Sequence, residues 1–171
     1  ASILFPRIQG ADAVGTVVRV GDNALSALLG QRVIIDGWLR DWDDPLNQSK
    51  AGYFGSECDG GYAQYTTVSH RQVHPVKSAL SDAELATFAC SYVTAENMLN
   101  RGAVTAGDTV LVTGASGGVG SALIQLANRR GAQCVGLCGA DKADDVKAVG
   151  PLAVIDRNCS DLGSALRDAI G

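Results

Sequence analysis

The chain is poor in aromatic residues, proline and methionine, and short of positive charge. Phe, Trp and Tyr make up 5% of its 171 residues, beside four prolines and one methionine. Lys and Arg number 14 against 18 Asp and Glu, a formal charge of −4. Without a basic surface the chain is not expected to bind nucleic acid, whose phosphates demand one. No apolar run approaches the ~18 residues of a membrane helix, so no membrane partner is expected. Five cysteines (Cys58, Cys90, Cys134, Cys138 and Cys159) are odd in number, and their spacings suggest no disulfide framework. Reduced thiols predict a cytoplasmic compartment. No signal peptide is read at the start. The opening ASILFPRIQG enters patterned sequence without an initiator Met, and the end, SALRDAIG, stops within a helical pattern. The chain is therefore expected to be an internal segment of a longer protein.

What is plentiful is glycine, 21 residues, within a sequence that is 46% hydrophobic. The first half reads as β structure. Residues 13–21, AVGTVVRVG, and 30–36, GQRVIID, are rich in β-branched residues and bounded by glycine. Residues 37–59 carry two Trp, a Pro and several Asp and predict a long irregular loop, either functional or a solvated excursion. Residues 60–68, GGYAQYTTV, alternate like a half-buried strand.

The second half alternates strand and helix. Ser81-x-x-Glu84 is a capping box that opens a helix, and a second helix is predicted from about Thr94 to Arg101. TVLVT, residues 109–113, predicts a buried strand. After it, Val119, Ala122, Leu123, Leu126 and Ala127 share one helical face, which Gly131 is placed to end. Residues 134–138 predict a strand, 141–149 a helix ended by Gly150, and 152–156 a strand; Ser160 is predicted to cap a last helix. A β-α-β-α-β-α order implies parallel strands joined by crossover helices.

Four of the eight residues of TGASGGVG, Thr113 to Gly120, are glycine. They lie between a predicted buried strand and a predicted helix, where free N–H groups and the positive end of the helix dipole receive phosphate. Ala115-Ser-Gly117-Gly-Val-Gly120 fits the spacing G/A-x-G-x-x-G of dinucleotide sites. Gly117 would admit the pyrophosphate and Gly120 would allow close helix–strand packing. The predicted binding residues are Ser116, Gly117, Gly118, Val119 and Gly120. NAD sites carry an acid about 20 residues further on to hold the ribose hydroxyls. Here the second strand ends Leu137-Cys138-Gly139 without one, while Lys142 and Arg157 lie close in sequence. Gly139, Lys142 and Arg157 are therefore read as a 2′-phosphate site, favouring NADPH over NADH; against this, Asp141 stands two residues past Gly139.

The stretches FPRIQGADAVGTVVRVG, GQRV, DGGYAQY, CSYVTAENML and GDTVLVTGASGGVGSALIQLANRRGA occur in the order found in the medium-chain dehydrogenase/reductase superfamily, and the whole chain resembles it. This family comprises the zinc-type alcohol dehydrogenases and the quinone oxidoreductases. The resemblance implies an α/β chain. A partial GroES-like β-barrel, residues 1–91, would precede the first half of a Rossmann doubly wound parallel sheet, residues 92–171. It implies an NADP(H)-dependent oxidoreductase that moves hydride between nicotinamide and a carbonyl, quinone or activated alkene of a small-molecule substrate. As a segment with both domains incomplete, the chain is expected to be inactive by itself. The resemblance puts Thr94 beside the nicotinamide. Tyr92, between Cys90 and Thr94, is a candidate proton donor, and the residues around Trp38 and Trp42 are a candidate substrate wall. Members of the family are often homodimers. The short-chain dehydrogenases share a similar glycine motif, but none of Tyr53, Tyr62, Tyr65 or Tyr92 has the Lys four residues later that those enzymes use.

In the zinc alcohol dehydrogenases a Cys four residues before that Thr binds the catalytic metal, with a His-Glu pair and an upstream Cys. Cys90 keeps the spacing to Thr94, and Ala11-Asp12 replaces His-Glu. Catalytic zinc takes three protein ligands, so Cys90 and Asp12 are an incomplete set. Either a carboxylate substitutes and zinc binds, or Cys90 is a small buried residue and Asp12 a hydrogen-bonded structural acid. A structural zinc lobe needs four cysteines where this chain has only Cys58. His70 and His74, in an extended segment, do not converge. Two other readings stay open: a zinc-dependent alcohol dehydrogenase, and an NADPH-binding protein without turnover.

Overall fold

The computed structural model describes residues 3–44, 49 and 51–171. The chain divides into two compact units, Ala1–Cys90 and Ser91–Gly171.

The first unit is built on an antiparallel sheet of β1 (Val14–Thr16), β2 (Arg32–Ile35) and β5 (Val73–Pro75), in the order β1-β2-β5. The alternation of β2 sets its inner face. Val33 and Ile35 are buried while Arg32 and Ile34 are only partly so, as the two-residue period of a strand requires. Val33, Ile35 and Phe54 form the core of this unit, packed by Ala13, Val17 and Val73. Of residues 13–21 only Val14–Thr16 is laddered, against Arg32–Ile34.

Two expectations for this unit are corrected. Residues 37–59 are not wholly irregular: β3 (Trp38–Leu39) pairs antiparallel with β4 (Gly52–Tyr53). Arg40 lies against both indoles, 4.6 Å from the Trp38 ring centre and 4.9 Å from that of Trp42. Residues 45–48 and 50 of that stretch lie outside the described residues. Residues 60–68 do not form a strand. Gly60, Gly61 and Tyr62 donate instead to the carbonyls of Ile8, Gly10 and Gln9, and Tyr62 to Thr67 are exposed in an unbroken run. Alternation makes a strand only where a neighbouring backbone is there to pair with, and none ladders with residues 63–68 among the described residues.

α1 (Asp82–Arg101) runs unbroken for 20 residues, so the separate helix expected from Thr94 is the second half of one helix. Its capping box is formed. The Glu84 N–H donates to Ser81 Oγ at 3.3 Å, and Ser81 N–H donates to Glu84 Oε2 at 2.8 Å. Arg32 of β2 ties down this end, donating to Asp82 Oδ1 at 2.7 Å and to the Leu80 carbonyl at 2.7 Å.

In the second unit β6 (Thr109–Thr113), β7 (Gln133–Cys138) and β8 (Ala153–Asp156) form a parallel sheet in that order. The crossovers are α2 (Gly118–Arg129) between β6 and β7, and α3 (Ala143–Ala148) between β7 and β8. α4 (Leu162–Ile170) follows. β7 is central and buried along almost its whole length, as the middle strand of a sheet covered by crossover helices should be. Its neighbours in the core include Ala95 and Leu99 of α1, Val112 of β6, and Ala122, Ile124 and Ala127 of α2. Burial pushes the Cys134 thiol up from its ordinary value, which marks it as a core residue. Gly131 and Gly150, both at positive φ, close the turns after α2 and α3. α4 is capped by Asp161, whose Oδ1 accepts from Ser164 N–H at 2.9 Å. The cap is thus Asp161 and not Ser160, because the helix begins at Leu162, one residue later than the sequence pattern suggests.

Candidate functional site: the glycine loop and the strand ends

The β6–α2 loop sits at the C-terminal edge of the parallel sheet. Gly114, at φ +61°, turns the chain out of β6. The buried Ala115 donates its N–H to the Leu137 carbonyl of β7 at 3.1 Å. Gly117 N–H donates back to the Gly114 carbonyl at 2.9 Å, closing the loop on itself. α2 then begins, with Gly117 as an N-cap that offers no side chain. Its first intrahelical bond runs from Ser121 N–H to the Gly117 carbonyl at 2.8 Å. The N–H groups of Gly118, Val119 and Gly120 therefore have no partner within the helix. They are the backbone donors that an anion would take up, on the positive end of α2.

The loop's glycines differ in what they permit. A Cβ on Gly120 would collide with the Gly114 carbonyl oxygen and stand 2.7 Å from Ala115 Cα, all of it backbone. A Cβ on Gly117 would meet only the Gly114 carbonyl oxygen at 3.4 Å, an ordinary contact. Gly120 is thus required by the fold, whereas Gly117 and Ser116 lie exposed beside the open N–H groups. A helix start cleared of side chains, backed by backbone too close to admit one, fits the phosphates of a dinucleotide.

β7 and β8 end beside this loop, in register with it (Thr113 opposite Leu137, Cys138 opposite Asp156). Gly139 follows β7 and is buried. Arg157 N–H donates to the Cys138 carbonyl at 2.8 Å, and the Arg157 guanidinium carbon lies 3.9 Å from where a Gly139 Cβ would be. The structure brings Gly139 and Arg157 together as the sequence suggested. It also folds Asp141 back to the same point, its Oδ1 2.6 Å from the Gly139 Cβ position. Lys142 N–H bonds the Gly139 carbonyl at 3.0 Å, with its side chain exposed.

On α1, Thr94 is exposed. Tyr92 is half-buried against the core, and its hydroxyl donates to Gln125 Oε1 of α2 at 3.1 Å. Cys90 is exposed, not the small buried residue of one reading. Asp12 is exposed too, and no printed hydrogen bond holds its carboxylate among the described residues, so it is not a hydrogen-bonded structural acid either. Among the described residues no three His, Cys, Asp or Glu side chains gather into a metal-binding group. Cys90 and Asp12 are two donors where zinc takes three, so a zinc ion does not fit the residues present. Sequence reasoning missed Ser91, whose hydroxyl lies against Gly118 at the first turn of α2. Its place one residue after Cys90 carried no signal of that contact. No helix among the described residues is long and apolar enough to cross a membrane.

A unit built on an antiparallel sheet, followed by a Rossmann-like unit with a parallel sheet and a glycine loop, defines the class as a two-part α/β chain. Residues 2–78 match the alcohol dehydrogenase GroES-like domain. Crotonyl-CoA carboxylase/reductase of Cereibacter sphaeroides is 36% identical over 162 residues, 88% of this chain and 38% of that protein. Human quinone oxidoreductase is 32% identical over 144 residues, 84% of this chain and 38% of that one. Among solved structures, a protein of Sinorhizobium meliloti described as an alcohol dehydrogenase superposes with a TM-score of 0.89 at 46% identity. That match covers 99% of this chain and 46% of the other. The chain belongs to the medium-chain dehydrogenase/reductase superfamily. The chain spans 38% of the length of each of these two curated relatives.

Proposed function

We propose that the whole protein is an NADP(H)-dependent oxidoreductase of the medium-chain type, transferring hydride between the nicotinamide and a carbonyl, quinone or activated alkene. The observation that carries this reading is the β6–α2 loop, where the N–H groups of Gly118, Val119 and Gly120 have no partner within α2 and the loop residues Ser116 to Gly118 are exposed beside them. The names of its relatives (a quinone oxidoreductase, a crotonyl-CoA reductase, an alcohol dehydrogenase) supply the range of acceptors. A bound nicotinamide would supply the hydride, and this chain's residues would hold and orient it. Ser116 to Gly120 would seat the pyrophosphate. Arg157 beside Gly139 would meet the 2′-phosphate with a forked cation suited to it, with Lys142 adding charge nearby. Thr94 would pack against the nicotinamide. Tyr92 is the proposed proton donor; its single O–H proton is now given to Gln125 Oε1, and the hydroxyl would leave that bond to turn to substrate. Loss of turnover with unchanged NADPH affinity in Tyr92→Phe supports that role; unchanged turnover assigns the proton to solvent.

The test is a fluorescence titration of the whole protein with NADPH and with NADH. Tighter NADPH binding, lost on Arg157→Ala, is the expected result. Preference for NADH would overturn the choice of cofactor and leave the dinucleotide site. Binding of neither would overturn the function.

A further inference from the structure

Ser91 of α1 lies against the first turn of α2. It stands half-buried on α1, and its Oγ would lie 2.6 Å from a Cβ on Gly118, while its own Cβ would be at 3.5 Å. Gly118 is not held at a positive φ, and no other atom within 4 Å is recorded against a side chain there. Its lack of a Cβ is thus explained by the Ser91 hydroxyl. A helical Ser or Thr commonly returns its proton to a carbonyl one turn back, as Thr87 does to the Glu84 carbonyl at 2.7 Å on the same helix. Ser91 makes no such bond among the described residues. Its proton is left uncommitted among the described residues, against Gly118 at the first turn of α2. Thr94 lies three residues further on, so the two share a side of α1.

We propose that Ser91 is a cofactor-binding residue, its hydroxyl donating a hydrogen bond to a phosphoryl oxygen of the dinucleotide seated on the N-terminus of α2. The proposal rests on the dinucleotide reading above. The fold contributes the helix's N–H groups, and Ser91 adds one movable donor from a separate element, at a position where Gly118 makes room for it.

The test measures NADPH binding to the whole protein for the wild type, Ser91→Ala, Ser91→Thr, Gly118→Ala and the double variant, alongside thermal melting. A hydrogen bond to a charged group predicts that Ser91→Ala weakens NADPH at least about tenfold, with the melting temperature unmoved because the hydroxyl bonds nothing among the described residues. Ser91→Thr, which keeps the hydroxyl, regains most of the affinity. Gly118→Ala displaces the hydroxyl and weakens binding similarly. Adding Ser91→Ala to it then costs little more, the non-additivity of two changes acting through one contact. Wild-type affinity in Ser91→Ala overturns the proposal and leaves the dinucleotide site standing. A wild type that binds neither NADPH nor NADH overturns the underlying reading instead.

Discussion

At the scale of the residue, the glycine loop separates folding from binding. Gly120 packs where a Cβ would strike the backbone of Gly114 and Ala115, so Gly120→Ala must move the loop or α2. Overpacking of this kind costs about 1–3 kcal/mol, and a lowered urea midpoint would show it. Gly117 has an extended backbone at φ −84° and an ordinary contact at its Cβ position. Gly117→Ala should therefore keep the wild-type midpoint and lose NADPH affinity, because the new methyl stands where the phosphate approaches. If both variants melt alike and bind alike, the division of labour is wrong. At the adenosine end, Asp141 and Arg157 converge on Gly139 with opposite charges. A carboxylate suits a ribose 2′-hydroxyl and repels a 2′-phosphate. Asp141→Asn should raise the ratio of NADPH to NADH affinity, and Arg157→Ala should lower it. An unchanged ratio in Asp141→Asn would place that carboxylate outside the site.

At the scale of the element, the start of α1 gives a prediction in pH. Hydrogen bonds from the Ser81 hydroxyl and the Ser81 N–H lower the Glu84 carboxyl from its ordinary value. A depressed acid contributes stability above its unfolded value, about 4.3, and loses it as the pH falls through the lower folded value. The wild type should exceed Ser81→Ala in thermal stability at neutral pH. The gap should narrow below about pH 4 without closing, since the Ser81 oxygen also accepts from Glu84 N–H at any pH. A gap that widens in acid would contradict the assignment. This cap was legible because its signal is local: two residues at a fixed spacing bond each other reciprocally. So were β6, β7 and the glycine loop, each carried by a contiguous apolar or glycine pattern. The length of α1 was not, its pattern reading as two helices although no Gly or Pro interrupts residues 82–101. The failures lie where structure depends on a distant backbone. Residues 60–68 alternate correctly but gain no ladder, and β3 and β4 find each other across a stretch whose composition reads as loop. Ser91 was invisible for the same reason, since its meaning comes from Gly118, 27 residues away.

At the scale of the whole molecule, the metal question is one of assembly. A catalytic zinc needs three side chains brought from separate stretches of chain to one point, and this chain brings at most Cys90 and Asp12. The proposed phosphate site, by contrast, takes its backbone donors from one loop and its adjoining helix, with Ser91 of α1 against Gly118. The two sites therefore respond differently to a chelator. If hydride transfer rests on the nicotinamide and on proton donation alone, the whole protein dialysed against a strong chelator should keep its turnover and its NADPH affinity. Elemental analysis should then find well under one zinc per chain. Loss of turnover with retained NADPH binding, restored by added zinc, would make the enzyme an alcohol dehydrogenase of the zinc type, with Cys90 and Asp12 completed by residues outside this sequence. Loss of NADPH binding as well would mean that the metal supports the nucleotide site itself, an outcome that the self-contained geometry of residues 113–121 argues against.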